Sequence, residues 1–373
     1  MCLTSGTINM HVAELDTPAL LIDLNIMERN LRRVAEYAKA HGLRLRPHTK
    51  THKVPAIGKL QLASGALGLT VAKVGEAEVM LAADPPDLLV AYPIVGQAKL
   101  DRLMRVARQI RVTVALDSVL AARQLSEAAR RAQINVGVLA EVDVGLGRVG
   151  VSPGEELLQL AQDIERLPGL TFEGIAFYPG HIKVLGDAGV KALQHLGRLI
   201  QAMLDDFRRA GIAVRIVSGG STPTLFHSHL LVGLNEIRPG TYVYNDLNTV
   251  CSGACTVDEC AVAILVTVVS TARKGQIIVD GGSKTFSSHP LVGSAKRTFG
   301  RVVEAPESVF FNMNEEHGFV DIRRAGRTFA VGDRVCIIPN HVCPAVNLHE
   351  RVYGVRNGEV EQAWLVEGRG KLQ

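Results

Sequence analysis

The sequence predicts an α/β protein, made of a TIM-like (β/α)8 barrel and a C-terminal, mostly antiparallel β domain. From Leu43 to about Tyr244, eight short runs of β-branched residues alternate with amphipathic stretches, which is typical of βα units in a parallel sheet. Eight such units are the number that closes a barrel. After about Cys251, β-rich runs joined by Gly-containing turns indicate antiparallel strands. We therefore place the barrel at residues 17–250 and the β-rich domain at 251–373, together with residues 1–16.

The predicted barrel strands are separated by room for one helix each. They are Leu43–Arg46, Gly68–Ala72, Leu88–Tyr92, Arg111–Leu116, Val136–Asp143, Thr171–Tyr178, Val214–Ser218 and Glu236–Tyr244. The first helix is the clearest, because Asn25 can cap its start and Gly42 can end it. A short strand near residues 15–22 precedes it and could belong to either domain. The β-rich domain has runs at Ala261–Ser270, Gln276–Val279 and Arg334–Ile338.

Composition and charge exclude several classes of protein. The 373 residues are 47% hydrophobic and 21% charged, as in a globular protein and unlike a disordered chain. A net charge of +4 is too small for the basic field of a nucleic-acid binder. No apolar run reaches the roughly 20 residues of a membrane span, and the first residues lack a signal-peptide pattern. We expect a cytoplasmic protein whose six cysteines are reduced thiols, with no membrane or nucleic-acid partner.

A basic segment follows the first predicted strand. Arg46–Lys53 contains two lysines and two histidines, and Pro47 interrupts regular structure there, so these side chains should gather at the barrel mouth. The segment could simply be a solvated basic loop. A lysine among other cations has a lowered pKa, however, and its free amine can form a Schiff base with an aldehyde cofactor.

Two glycine-containing segments lie at the ends of later strands. In Ser218–Thr224, Gly219 and Gly220 let backbone N–H groups approach an anion, which makes either a phosphate cradle or an ordinary helix cap. In Glu141–Gly150, Arg148 stands between glycines and could reach a bound anion, or it could be a surface arginine on a turn.

Histidines and a cysteine provide further candidates. If residues 337–344 are extended, His341 and Cys343 point to one side and could bind a borderline-soft ion such as zinc; otherwise Cys343 is an ordinary buried cysteine. His181 follows the sixth strand and could act as an acid or base at the barrel mouth, or be a loop histidine.

Taken together, these residues resemble the pyridoxal-phosphate (PLP) enzymes with an alanine-racemase-type barrel (fold type III), in the branch of the D-threonine aldolases and D-serine dehydratases. The resemblance extends from Asp16-Thr17-Pro18 to the region of Trp364. Pro47-His48-Thr49-Lys50 matches the cofactor-lysine motif, the Ser218–Thr224 segment the phosphate loop, and Pro339–Cys343 the metal motif.

The resemblance implies a role for each matching residue. Lys50, and not Lys53, would bind the cofactor covalently, Arg148 would contact its ring and His181 would be a catalytic base. His341 and Cys343 would bind one divalent metal, Zn or Mn, with Mg as a further option. The remaining cofactor residues would be Tyr178, Ser218, Gly219, Gly220, Ser221, Thr222 and Tyr242. The family also implies a homodimer acting on a small-molecule substrate, with its active site at the barrel mouth, close to the second domain.

Two departures from the family pattern affect the activity. Many of these aldolases carry a histidine where this chain has Pro179, and the His-x-Cys pair is found in dehydratase-like members. The leading hypothesis is retro-aldol cleavage of D-3-hydroxy-amino acids, such as D-threonine to glycine and acetaldehyde. The alternative is dehydration of D-serine or a 3-hydroxyaspartate at the same site. A non-catalytic PLP-homeostasis protein is disfavoured by the long second domain, and a barrel without cofactor needs three coincidences, at Lys50, Arg148 and the Gly219 loop.

Overall fold

The computed structural model describes residues 10–293 and 297–373, which form two compact units. One unit contains the described residues up to Arg32, with Thr51–Val54 and Thr241–Arg369. The other contains Arg33–Lys50, Pro55–Gly240 and Gly370–Gln373. The chain therefore passes between the units several times, whereas the prediction divides it at residues 16/17 and 250/251 only. None of the described helices is long and apolar enough to cross a membrane.

Eight parallel strands form the barrel, which confirms the predicted fold class. They are Arg44–Leu45, Leu69–Val71, Asp87–Val90, Arg111–Leu116, Val136–Val142, Leu170–Phe177, Ile216–Gly219 and Glu236–Ile237, each paired with its neighbours in chain order. The last strand pairs with the first, and the N–H of Thr70 donates to the carbonyl of Pro47 over 2.8 Å, so the ring closes. The last strand is shorter than predicted. It ends at Ile237 because Pro239 cannot donate to a ladder, and Thr241–Val243 forms a 3-10 turn.

Seven α-helices accompany the barrel strands in the described part of the chain. They are Leu24–Ala40, Pro55–Ala63, Val74–Met80, Gln97–Ala107, Val119–Ala132, Glu155–Arg166 and Asp187–Arg209. The first is capped by Asp23, whose Oδ1 accepts from the N–H of Ile26 over 2.8 Å, so the predicted Asn25 cap was wrong. Gly42 ends that turn as predicted, in the left-handed conformation at φ 62°.

The second unit is built on a mostly antiparallel sheet of ten strands. Its strands are Met10–His11, Ala19–Asp23, Val262–Ser270, Gln276–Val279, Gly300–Val302, Val309–Met313, Gly318–Asp321, Arg334–Pro339, Arg351–Arg356 and Glu359–Leu365. Ala19–Asp23 lies between Val262–Ser270 and Arg351–Arg356, with Leu20 opposite Ile264 and Leu21 opposite Tyr353. This strand, which the sequence alone left open to either domain, belongs to the sheet, because Ala19 and Leu21 pack there against Leu265.

Candidate active site

Lys50 lies at the carboxyl end of the first barrel strand, where barrel enzymes carry their chemistry. Beyond the first strand, His48 forms an isolated parallel β-bridge with Thr70 of the second strand. Thr49 Oγ1 donates to the carbonyl of Thr70 over 3.1 Å. Lys50 then enters the 3-10 turn Thr49–Thr51 with its side chain half-buried. The anchoring of Thr49 and His48 on the second strand holds the Lys50 backbone in place.

Lys50 and Arg148 both lie beside the aromatic ring of Tyr178, so three predicted site residues come together. Lys50 Nζ lies 5.9 Å from the ring centroid of Tyr178, and Arg148 Cζ lies 4.9 Å from the same centroid. The negative face of an aromatic ring attracts cations at these distances. Two cations held beside one ring make a place that favours an anionic group.

The turn before Arg148 is organised by Asp143. Its carboxylate accepts from the N–H groups of Gly145, Leu146 and Gly147 at 2.9 to 3.0 Å. Burial alone would raise the pKa of Asp143, but these three donors, assisted by His181, hold it below its ordinary value. His181 itself is exposed and packs on the backbone of Gly145, where a Cβ would come within 3.3 Å of its ring. The predicted base therefore lies beside the Arg148 turn.

Glycine at position 219 allows the backbone to pack closely on a buried aromatic ring. A Cβ at Gly219 would lie 2.3 to 2.7 Å from the Phe177 ring, and Gly220 is left-handed at φ 89°. Ser221 and Thr222 are buried, and the N–H of Ser221 is bonded to Thr224 Oγ1 over 3.2 Å. The loop leads into the 3-10 helix Leu225–Leu230. The predicted phosphate cradle thus has glycines and hydroxyl groups, and a short 3-10 helix follows it.

Ser218 differs from its neighbours in the loop. Its hydroxyl donates to Glu236 Oε1 over 2.6 Å and accepts from Arg238 Nη1 over 2.5 Å. The Ser218 side chain is thereby engaged within the barrel, while Gly219 and Gly220 carry the backbone toward the mouth.

The sequence did not predict the buried charged residues inside the barrel. Arg238 is buried and also donates to the carbonyl of Phe177 over 3.1 Å, while Glu236 Oε2 accepts from Arg46 Nε over 3.0 Å. Burial lowers the pKa of Arg238 and raises that of Glu141, and the two opposite charges counteract both shifts. The signal was available: Glu236 and Arg238 alternate in a predicted strand, so both point to one face.

The predicted metal pair lies in the other unit, and its local structure differs from the prediction. His341 caps the helix Val342–Leu348 and Cys343 lies in its first turn, so the expected extended segment was wrong. The helix begins here because Asp246 Oδ2 accepts the N–H of Val342 over 2.9 Å, and Pro344 is tolerated in a first turn. Tyr242, assigned to the cofactor, is buried in the Thr241–Val243 turn.

Hydroxyl groups surround the Cys343 thiol. Thr51 Oγ1 lies 3.3 Å and Thr241 Oγ1 lies 3.9 Å from Cys343 Sγ. The other proposed ligand, His341, has the ring of His289 beside it, with 5.0 Å between the two ring centroids. Across residues 10–293 and 297–373, no three His, Cys, Asp or Glu side chains are grouped to hold a metal ion. An imidazole and a thiol suit zinc or a similar ion, and a two-ligand set leaves coordination positions open to other molecules.

Gly219→Ala is expected to weaken PLP binding by at least about tenfold, because the new Cβ would overlap the Phe177 ring and displace the loop, at a typical overpacking cost of about 1–3 kcal/mol. Titration of the apoprotein with PLP, followed by absorbance, measures the effect. Gly186→Ala is the matched control, since a Cβ there meets nothing within 4 Å. Equal affinities for the two variants would contradict the cradle.

Two family models together match most of the chain. A family model for the alanine racemase N-terminal domain matches residues 22–248, and one for a serine dehydratase domain matches residues 261–355. The barrel and second domain therefore define a PLP-dependent lyase of the alanine-racemase-type family, in the branch that carries a serine dehydratase domain, and the chain belongs to that family.

Curated relatives cover nearly the whole chain. It is 33% identical to the 3-hydroxy-D-aspartate aldolase of Paracoccus denitrificans (strain Pd 1222), over 97% of this chain and 94% of the relative. Identity to the D-threonine aldolase of an Arthrobacter species is also 33%, over 96% and 94%. Identity to the D-threo-3-hydroxyaspartate dehydratase of Delftia sp. (strain HT23) is 34%, over 88% and 91%.

Solved structures of related enzymes have a similar fold. The D-threonine aldolase of Filomicrobium marinum superimposes with a TM-score of 0.92 at 31% identity, over 99% of this chain and 100% of that one. A variant of the D-threo-3-hydroxyaspartate dehydratase in its metal-free form has a TM-score of 0.86 at 30% identity, over 95% and 98%. Relatives of this chain thus include both aldolases and a dehydratase.

Proposed function

We propose that this enzyme cleaves D-3-hydroxy-amino acids by a retro-aldol reaction, with D-threonine giving glycine and acetaldehyde. The observation that carries the proposal is the grouping of Lys50 and Arg148 around Tyr178 at the barrel mouth. The aldolase names of the relatives from Paracoccus and Arthrobacter support this choice. A cytoplasmic homodimer is part of the same proposal.

The residues of the barrel fit PLP. The Gly219–Gly220 backbone and the hydroxyl groups of Ser221 and Thr222 would donate to its phosphate, and the close packing of Gly219 on the Phe177 ring fixes the position of this loop. Lys50 Nζ would hold the cofactor through its aldehyde group, and Arg148 and Tyr178 would orient its ring. When bound, PLP supplies an electron sink for the carbon–carbon bond that breaks.

The residues of the second unit fit a divalent ion. His341 and Cys343 would hold Zn or Mn, with Mg as a further option, and such an ion lowers the pKa of a bound hydroxyl group when present. Thr51 and Thr241 steady the Cys343 thiol by hydrogen bonding. His181 is assigned to take the proton from the substrate β-hydroxyl, which its exposed position beside the Arg148 turn allows.

The runner-up is dehydration of D-serine or a 3-hydroxyaspartate. It is favoured by the Delftia relative, which is named a D-threo-3-hydroxyaspartate dehydratase. In this reaction Lys50 would remove the Cα proton and the β-hydroxyl would leave. The two reactions differ in which bond breaks, a choice that depends on small differences in how the substrate is positioned.

Product analysis decides between them. We expect the PLP- and metal-loaded enzyme to convert D-threonine to glycine and acetaldehyde, and 3-hydroxy-D-aspartate to glycine and glyoxylate. Formation of 2-oxobutanoate or oxaloacetate with ammonia would establish the dehydratase instead. If neither substrate nor D-serine reacts, the retro-aldol proposal fails and a non-catalytic PLP carrier takes its place.

A further inference from the structure

A charged cavity opens at the amino-terminal end of the barrel, the end opposite the loops that carry Lys50 and Gly219. Its volume is about 410 Å³. Arg44 and Arg111 begin the first and fourth strands, and Arg215 directly precedes the seventh. Arg46 completes a lining of four arginines, with Asp87 and Glu173 as its carboxylates. A cavity of this size is in the range that holds a small ligand.

The cavity has more positive than negative groups. Glu173 is shared between Arg111, whose Nη2 lies 2.8 Å from Oε1, and Arg215, whose Nε lies 3.3 Å from Oε2. Arg46 pairs with Asp87 and also with Glu236, while Arg44 donates to the neutral amide of Asn235 over 2.9 Å. Four guanidinium groups are therefore balanced by three carboxylates, those of Asp87 and Glu173 in the lining and that of Glu236 next to it. The pairing leaves a net positive field in the cavity.

Arg111 and Arg215 can contact a ligand without any movement of buried side chains, because both are largely exposed. The side chains of Arg111 and Arg215 are each 61% exposed, whereas the Glu173 side chain between them is 8% exposed. Burial lowers the pKa of Arg46, the ion pair with Glu236 opposes this shift, and repulsion from Arg44 and Arg111 adds to it. An anion would relieve this repulsion. Thr113 adds a hydroxyl group, for which Gly137 leaves room, since a Cβ there would lie 2.7 Å from Thr113 Oγ1.

We propose that this cavity is a second binding site, which takes a small oxyanion with two or more negative charges and holds it between Arg44, Arg111 and Arg215. Guanidinium groups match phosphate and carboxylate oxygens through paired N–H donors, so the shared chemistry is that of phosphate and of small dicarboxylates. The site is separate from the proposed active site and does not depend on the reaction catalysed there.

Binding to the PLP-loaded protein tests the site, because the cofactor then occupies its own phosphate loop. Calorimetric titrations with inorganic phosphate and with succinate, at an ionic strength held constant with KCl, distinguish the two ligand classes. We expect saturable binding of at least one of them, weakened at least about tenfold by Arg111→Gln and by Arg215→Gln, each of which removes a charge-assisted pair. Arg131→Gln, on an exposed helix pair with Glu127, is the control and should bind normally.

Glu173→Gln provides a test of opposite sign. This change removes a negative charge that competes for both arginines, so we expect tighter anion binding by several-fold while the shape of the side chain is retained. The proposal is overturned if neither anion binds at up to about 10 mM. It is equally overturned if binding is the same in the wild type, both arginine variants and Glu173→Gln, because the anion would then be held elsewhere.

Discussion

Lys50→Ala is expected to lower the rate of D-threonine cleavage by at least about a thousandfold, since a covalent catalytic amine has no substitute in the site. The variant should still bind PLP through the Gly219 loop, but without the covalent link, so the cofactor should be removed by dialysis. Steady-state assays of aldehyde formation and the absorbance of the dialysed protein measure the two effects.

Lys53→Ala is the matched control for this experiment. Lys53 is the second lysine of the same segment, but its Nζ donates to Asn347 Oδ1 over 2.8 Å within the second unit. We expect this variant to retain its covalent cofactor and activity within a few-fold of the wild type. Full activity of Lys50→Ala, or loss of the covalent cofactor only in Lys53→Ala, would move the catalytic amine away from Lys50.

His341→Ala and Cys343→Ser are expected to abolish tight binding of the divalent ion and to lower cleavage by at least about a hundredfold, as loss of a metal's Lewis acidity costs several kcal/mol. Because no three His, Cys, Asp or Glu side chains are grouped among the described residues, we expect the loss of either proposed ligand to leave the ion too few side chains to hold it. Metal analysis of the purified proteins, and activity before and after chelation, measure the result.

The exposed Cys251 is a suitable control for the thiol, and Cys251→Ser should retain both metal and activity. Chelation of the wild-type enzyme should reproduce the loss, and added zinc or manganese should restore it. If Cys343→Ser keeps its metal content and its rate, the His341–Cys343 assignment is wrong and the ion lies elsewhere or is not required.

The barrel could be predicted because its signals are local. Runs such as Arg111–Leu116 and Val136–Val142 are rich in β-branched and other apolar residues, as is typical of strands covered on both faces, and each is followed by an amphipathic stretch long enough for a helix. Placement of Lys50 and the Gly219 loop at one end of the barrel follows from the strand direction alone. The grouping of Arg148 with Tyr178 adds a tertiary contact that spacing does not specify.

Other features depend on contacts between distant residues. The helix at Val342 begins because Asp246, far away in sequence, accepts its N–H, and a His-Val-Cys triplet by itself is compatible with either strand or helix. Asp23 rather than Asn25 caps the first helix, because the strand Ala19–Asp23 ends directly at that point. The buried pairs of Arg46 and Arg238 require neighbouring strands before their partners can be named.

The position of Ala19–Asp23 in the interior of the second sheet also governs the order in which the protein can fold during synthesis. This strand leaves the ribosome early, but its partners Val262–Ser270 and Arg351–Arg356 come only after the whole barrel has been made. Until then the apolar run of Ala19, Leu20, Leu21 and Ile22 has no sheet to join. Such long-range pairing slows folding and favours aggregation of incomplete chains. Translation stalled before Arg351 would therefore leave a nascent chain in which the Ala19–Asp23 strand lacks one of its two partner strands.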